Sequence, residues 1–119
     1  MLKQIRKEDI PKWELGDVTI KTFSFGEKLE LGNLKAKMKD GTPQVTDAEI
    51  SIKDVSIKGL AAGIHFIRTV EGTQFIIKPG TPLADREKVV YDVAYEAGEY
   101  LLKEIWEINK EISKEEIKN

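Results

Sequence analysis

The sequence predicts an α+β fold in which an N-terminal β-hairpin is followed by a mainly helical domain with a long C-terminal amphipathic helix. Apolar and polar residues alternate on both sides of the pair Gly16-Asp17, which is typical of a hairpin. An apolar stripe runs through the last third of the chain at helical intervals. A chain of 119 residues is long enough for one core, so we predict a single domain over 1–119, with a charged leader at 1–11 and a frayed tail at 114–119.

The composition excludes several classes of function. Lysine and arginine number 19 against 21 acidic residues, a net charge of −2 that attracts neither nucleic acid nor an anionic membrane, so we expect neither as a partner. The absence of cysteine excludes disulfides, thiol catalysis and zinc fingers. The bias towards lysine and glutamate is typical of thermophile proteins, and AT-rich coding produces the same bias.

The N-terminal third has two local signals. Trp13 and Leu15 alternate with charged residues before the Gly16-Asp17 pair, and a second alternating run follows it, so we predict a hairpin near residues 13–23. Ser24 then stands three residues before Glu27, the spacing at which a hydroxyl and a carboxylate cap a helix reciprocally. This capping box predicts a helix over residues 25–38.

The middle of the chain is less clear. Apolar spacing predicts a helix over 52–67, whereas residues 48–52 alternate as a strand would and could equally begin the helix. Gly59 and Gly63 lie four apart on this helix, which indicates close packing against another element. Two β-rich pieces around Glu71-Gly72 then predict a small hairpin or an extended loop.

The last helix is predicted over residues 82–113, with Thr81 as its cap and Pro82 at its first position. Unbroken, it would be about 48 Å long, whereas a globule of this size is roughly 35 Å across. Either Gly98 therefore kinks the helix, or its end leaves the globule and meets a partner. The stripe consists of Arg86, Val90, Val93, Ala94, Ala97, Leu101, Ile105, Ile108 and Ile112, all apolar except the arginine.

The end of this helix supplies the candidate functional residues, all of them for protein interaction. In a straight helix its last turns lie beyond the reach of a compact core, so we predict that they bury against a second copy or a partner helix. Partial exposure of the two aromatic residues would indicate an interface. The candidates are Tyr100, Ile105, Trp106, Ile108 and Ile112.

No pattern in the sequence indicates catalysis. The only histidine, His65, has no carboxylate three or four residues away, and we interpret it as a structural or surface residue. Nucleotide loops, calcium loops and activated nucleophiles are absent, so we expect no enzymatic activity, cofactor or metal. The N-terminus lacks the apolar region of a signal peptide, which predicts a cytoplasmic location.

The order of these pieces resembles a known family. The strand at Val18–Lys21 runs into the segment 23–31; a later helix has residues 53–55 near its start and 60–64 at its centre; the C-terminal helix carries 97–101. This arrangement is similar to the tail assembly chaperones of long-tailed phages and related proviruses, and the resemblance covers most of residues 13–109.

The resemblance implies a non-enzymatic protein of the host cytoplasm. Such chaperones keep the long, helical tape-measure protein soluble and help to bring tail-tube subunits to it, so it implies both proteins as partners, and self-association is expected too. The family has no sharp site motif, so no functional residue carries over. The alternative is a small intracellular adaptor or protein-interaction module with no viral link.

Overall fold

The structure, a computed structural model, describes the backbone of residues 1–35, 38–39, 42–43 and 48–118 and the side chains of residues 1–31 and 56–109. The strands and helices confirm the predicted α+β class. In chain order they are β1 (Leu2–Ile5), β2 (Val18–Lys21), α1 (Phe25–Lys35), β3 (Met38–Lys39), β4 (Thr42–Pro43), α2 (Ala48–Gly63), β5 (Ile64–Arg68), β6 (Phe75–Ile77), α3 (Leu83–Tyr91) and α4 (Tyr95–Lys118).

The main sheet has four strands in the order β1-β2-β5-β6, and every neighbouring pair is antiparallel. N-terminal strands are present as predicted, but the prediction of a hairpin near residues 13–23 is wrong, because β2 pairs with β1 and residues 13–15 form no strand. The predicted charged leader at 1–11 is therefore part of the fold, because it contains β1 and its Ile5 and Ile10 are buried in the core. Residues 13–15 lead instead into Gly16, whose N–H donates to the Arg68 carbonyl at 2.9 Å.

Two of the predicted helices end earlier in the structure than the sequence predicts. The capping box is confirmed, since the Ser24 N–H donates to Glu27 at 2.7 Å and the Glu27 N–H to the Ser24 hydroxyl at 3.3 Å. However, α1 ends at Lys35, and Met38 lies in β3. The next helix, α2, includes residues 48–52 but ends at Gly63, so the prediction of a helix to residue 67 is wrong: β5 begins at Ile64.

The predicted small hairpin is confirmed as β5 and β6, with Gly72 in the turn at a φ of +78°. The long C-terminal helix is broken, but at residues 92–94, between α3 and α4, and not at Gly98. Thr81 does not cap α3: its hydroxyl donates to the Lys78 carbonyl at 2.7 Å, and Pro82 occupies the cap position. The last helix, α4, continues to Lys118 through the segment predicted to fray, which makes it about 36 Å long.

The core lies between the sheet and the helices α2, α3 and α4. The inward side chains of the two central strands, such as Val18 and Ile67, are fully buried. Helix α4 places its apolar stripe against them from Ala97 to Ile108. The buried cluster comprises Ile5, Ile10, Val18, Ile20, Leu60, Ala61, Ile64, Ile67, Ile77, Val90, Ala97, Leu101, Ile105 and Ile108.

The glycine pair in α2 packs closely against α4, as its spacing predicts. A Cβ atom at Gly63 would stand 2.6–2.7 Å from Cδ1 and Cγ1 of Ile105, and closer still to Cγ2. A Cβ atom at Gly59 would stand 3.4 Å from the nearest atoms of Leu102 and Trp106, an ordinary contact distance. The two glycines therefore differ in how much space surrounds them.

This difference predicts opposite effects of two identical substitutions. Gly63→Ala should destabilise the protein by about 1–3 kcal/mol, because Ile105 has no room to move in the packed core. Gly59→Ala should be neutral or stabilising by up to about 1 kcal/mol, because alanine favours the helix and the space exists. Urea unfolding of both variants measures this, and a Gly63→Ala protein as stable as Gly59→Ala would contradict the packing.

Candidate functional site

The structure divides the five predicted interaction residues. Ile105 and Ile108 are 0% and 3% exposed and belong to the chain's own core, so the prediction that they lie beyond it is wrong. The physical reason is the break before α4, which lets this helix lie against the sheet along its middle turns. Tyr100 and Trp106 are both partly exposed, the condition that indicates an interface. The side chain of Ile112 lies outside the described residues.

The two partly exposed aromatic residues line one shallow concavity, which we call the α4 cleft. Its volume is about 630 Å³. Its lining residues recur at intervals of three and four, so they share one face of α4, and this face excludes the buried Ala97, Leu101 and Ile105. The described residues lining it are Glu96, Glu99, Tyr100, Leu102, Lys103, Trp106 and Glu107.

Trp106 lines the α4 cleft and is held by contacts with other elements. The ring of Phe23 meets its indole edge-on, with centroids 5.5 Å apart, and Gly59 leaves room for it on the α2 side. Leu102 lies one turn earlier against the same glycine. The apolar surface of the cleft is thus held in place by neighbouring elements, which is what a preformed binding surface requires.

The rim of the α4 cleft is acidic. Lys12 forms an ion pair with Glu96 at 3.3 Å, and this carboxylate also accepts a backbone hydrogen bond at the start of α4. The backbone hydrogen bond and Lys12 together lower the pKa of Glu96. One turn further, the Tyr95 hydroxyl donates to Glu99 at 2.8 Å, which raises the pKa of the tyrosine. Glu96 is therefore ionised at neutral pH.

A second apolar groove lies beside the α4 cleft, at the junction of α3 and α4. Its volume is about 670 Å³, and it adjoins the cleft because Lys12, on its rim, pairs with Glu96. Its apolar lining combines the segment before β2 with the edge strand β6, helix α3 and the break between α3 and α4. These side chains are Trp13, Leu15, Ile76, Val89, Val93 and Ala94.

Comparisons with family models, with curated proteins and with solved structures found no match for this chain. The candidate site therefore depends on its geometry alone. None of the helices in the part of the chain that the structure describes is both long and apolar enough to cross a lipid bilayer. Within the same residues, no group of three histidine or carboxylate side chains could hold a metal ion.

Sequence reasoning missed a buried cluster of charges, here called the Arg86 cluster. The Arg86 guanidinium donates to the carbonyls of Ala61, Ala62 and Ile64 at 2.9–3.3 Å, and to Glu27 at 3.3 Å. Lys21 reaches the other oxygen of Glu27 at 2.6 Å. The one signal that could have found it was a lone arginine within an apolar helical stripe.

The chemistry of the Arg86 cluster is structural. Arg86 closes the C-terminal end of α2, where helix carbonyls lack partners, and Glu27 closes the N-terminal end of α1. Burial raises the pKa of Glu27, but hydrogen bonds from Lys21 and Ser24, with the charge of Lys21, outweigh this and lower it. The carboxylate therefore stays ionised, and the cluster joins five elements of the fold, β2, α1, α2, β5 and α3.

The outer face of the sheet carries an aromatic cluster. Phe66 and Phe75 meet edge-on with centroids 5.4 Å apart, and His65 lies 5.4 Å from Phe66. The Arg68 guanidinium lies 5.3 Å from the Phe66 centroid and 4.8 Å from that of Phe75. His65 thus lies in β5 beside an aromatic ring, and not in the helix that the sequence predicted.

Proposed function

We propose that this chain is a non-enzymatic tail assembly chaperone of a phage or provirus, acting in the host cytoplasm. It holds the tape-measure protein soluble and helps to bring tail-tube subunits to it, by stoichiometric binding without a nucleotide or a metal. The observation that supports the proposal is the partly exposed aromatic surface of the α4 cleft, formed by Tyr100 and Trp106 with Leu102. We take the two partners from the resemblance of the sequence to this family.

The physical basis of holding is the burial of apolar helix surface. An aggregating helical protein exposes apolar stripes, and covering them contributes roughly 25 cal/mol per Å². An amphipathic helix in a groove is a common way to achieve this. The α4 cleft and the second groove both offer apolar surface, and the Lys12–Glu96 pair joins their rims, so a single long helix could contact both. We also propose that the free chaperone self-associates.

Co-expression with the long helical protein encoded beside this chain tests the proposal. We expect the soluble fraction of that protein to rise severalfold, and to stay high in extracts depleted of ATP. Trp106→Gln and Tyr100→Gln should each abolish most of the effect, because they remove apolar surface from the α4 cleft. Tyr91→Gln is the matched control, since this tyrosine is 61% exposed on α3 and does not line the cleft.

Circular dichroism and thermal unfolding confirm that each variant is folded before it is scored. The proposal fails if the helical protein is soluble without this chain, or if the effect requires ATP. It also fails if both cleft variants hold the protein as well as Tyr91→Gln does. A neighbourhood without such a helical protein, together with capture of a host protein by the cleft, favours the adaptor alternative.

A further inference from the structure

The charges around the α4 cleft restrict what can bind there. Among the described lining residues, Glu96, Glu99 and Glu107 outnumber the single cation, Lys103. Lys12, which lies beside the cleft, is already paired with Glu96 at 3.3 Å. The cleft therefore combines an apolar wall with an acidic rim, although the whole chain is almost neutral.

We propose that the α4 cleft binds a basic amphipathic helix, whose apolar side chains contact Leu102 and Trp106 while flanking lysines or arginines pair with the glutamates. This inference rests on the proposed function and specifies the part of the partner that the chaperone holds. From Glu96 to Glu107 the cleft extends about 16 Å, or three helical turns. That length matches a partner helix with apolar anchors at positions i, i+3 or i+4, and i+7.

The same charges argue against the other occupants of the α4 cleft. A nucleic acid would bring phosphates against Glu99 and Glu107, and like-charge contacts cost affinity. A second copy of this chain would bring one acidic rim against another, so the proposed self-association uses a different surface.

The aromatic cluster on the sheet is a weaker candidate for docking, because Arg68 already covers Phe66 and Phe75.

Two designed amphipathic peptides of about 18 residues test the inference, since shorter isolated helices are marginal in water. Both carry leucine on one face, and the other face is lysine in the first and glutamate in the second. Fluorescence anisotropy of the labelled peptides should show the lysine peptide binding about tenfold more tightly or better. The preference should weaken as added salt shortens the Debye length from about 10 Å at 0.1 M to about 3 Å at 1 M.

A charge-swapped variant makes the test specific to the α4 cleft. Glu99→Lys with Glu107→Lys should reverse the preference, because both side chains are exposed on the rim. Glu8→Lys with Glu71→Lys is the matched control: it changes the net charge equally, at exposed sites away from α4. It should leave the preference for the lysine peptide unchanged.

The outcomes separate this inference from the proposed function. Equal binding of both peptides, binding of neither, or an unchanged preference in Glu99→Lys/Glu107→Lys each overturns the basic-helix inference. None of these results bears on the co-expression assay, in which the chaperone either does or does not keep its helical neighbour soluble. A cleft that prefers the lysine peptide beside a failed co-expression assay would retain the site and reject the chaperone.

Discussion

Replacing Arg86 with methionine is expected to lower the free energy of unfolding by about 3–5 kcal/mol, because it breaks a buried ion pair on one side only. The guanidinium is the donor for two carbonyls at the end of α2, for the first carbonyl of β5 and for Glu27. Methionine fills similar volume but donates nothing, so these carbonyls lose their partner and Glu27 keeps only Lys21 beside it in a region of low exposure. Urea unfolding followed by circular dichroism measures the loss.

Two further variants separate the charge from the geometry. Arg86→Lys keeps the charge but not the planar fork that reaches several acceptors, so its stability should fall between those of the wild type and Arg86→Met. Lys88→Met removes a cation from the same helix at a side chain that is 81% exposed, and it should change stability by less than about 0.5 kcal/mol. If Arg86→Met were as stable as Lys88→Met, the cluster would not join the elements as described.

The parts of the fold that could be predicted from the sequence depend on local interactions. The capping box at Ser24 and Glu27 involves atoms three residues apart, so its spacing suffices to identify it. The partner of β2 could not be identified in this way, because residues 13–15 and residues 2–5 both suit an edge strand. The choice between them depends on Ile5 and Ile10 reaching the core, which is a non-local fact.

The missed strand β5 has a specific physical explanation. Its pairing with β2 is irregular: Ile20 lies opposite Ile64 and Thr19 opposite Phe66, so His65 is an extra residue in the ladder. The bulge turns Ile64 and Ile67, three residues apart, towards the same core. A spacing of three is typical of a helix, and the bulged strand therefore imitates helical periodicity.

The candidate site was predicted in part for a related reason. Helical periodicity identifies which residues share a face, but not how far along a helix the core extends. Tyr100 and Trp106 were candidates whose partial exposure would indicate an interface, and both are partly exposed. Ile105 and Ile108 were assigned to a partner and are in fact internal. The break at residues 92–94 determines how far the core extends along α4. The sequence does not indicate this break, because it contains no proline and Gly98 lies four residues after it.

Replacing Ile105 with aspartate is expected to unfold the whole chain, not to disable one surface of a folded protein. Its side chain is fully buried between the sheet and α2, and its atoms lie against Gly63. Lys3, a cation that does reach α4, pairs with Glu104 at the surface and not in this core. An unpaired buried carboxylate costs about 4–5 kcal/mol or more, a large part of the 5–15 kcal/mol typical of a domain.

The matched control for Ile105→Asp is Lys103→Asp, because it places the same side chain on an exposed position of the same helix. Far-ultraviolet circular dichroism and dispersion of amide resonances should show an unfolded Ile105→Asp protein and a folded Lys103→Asp protein. Had Ile105 faced a partner, Ile105→Asp would keep the sheet and α2 intact and lose only binding. A folded Ile105→Asp protein with native resonance dispersion in β2 and β5 would therefore restore Ile105 to the interaction surface and remove it from the core.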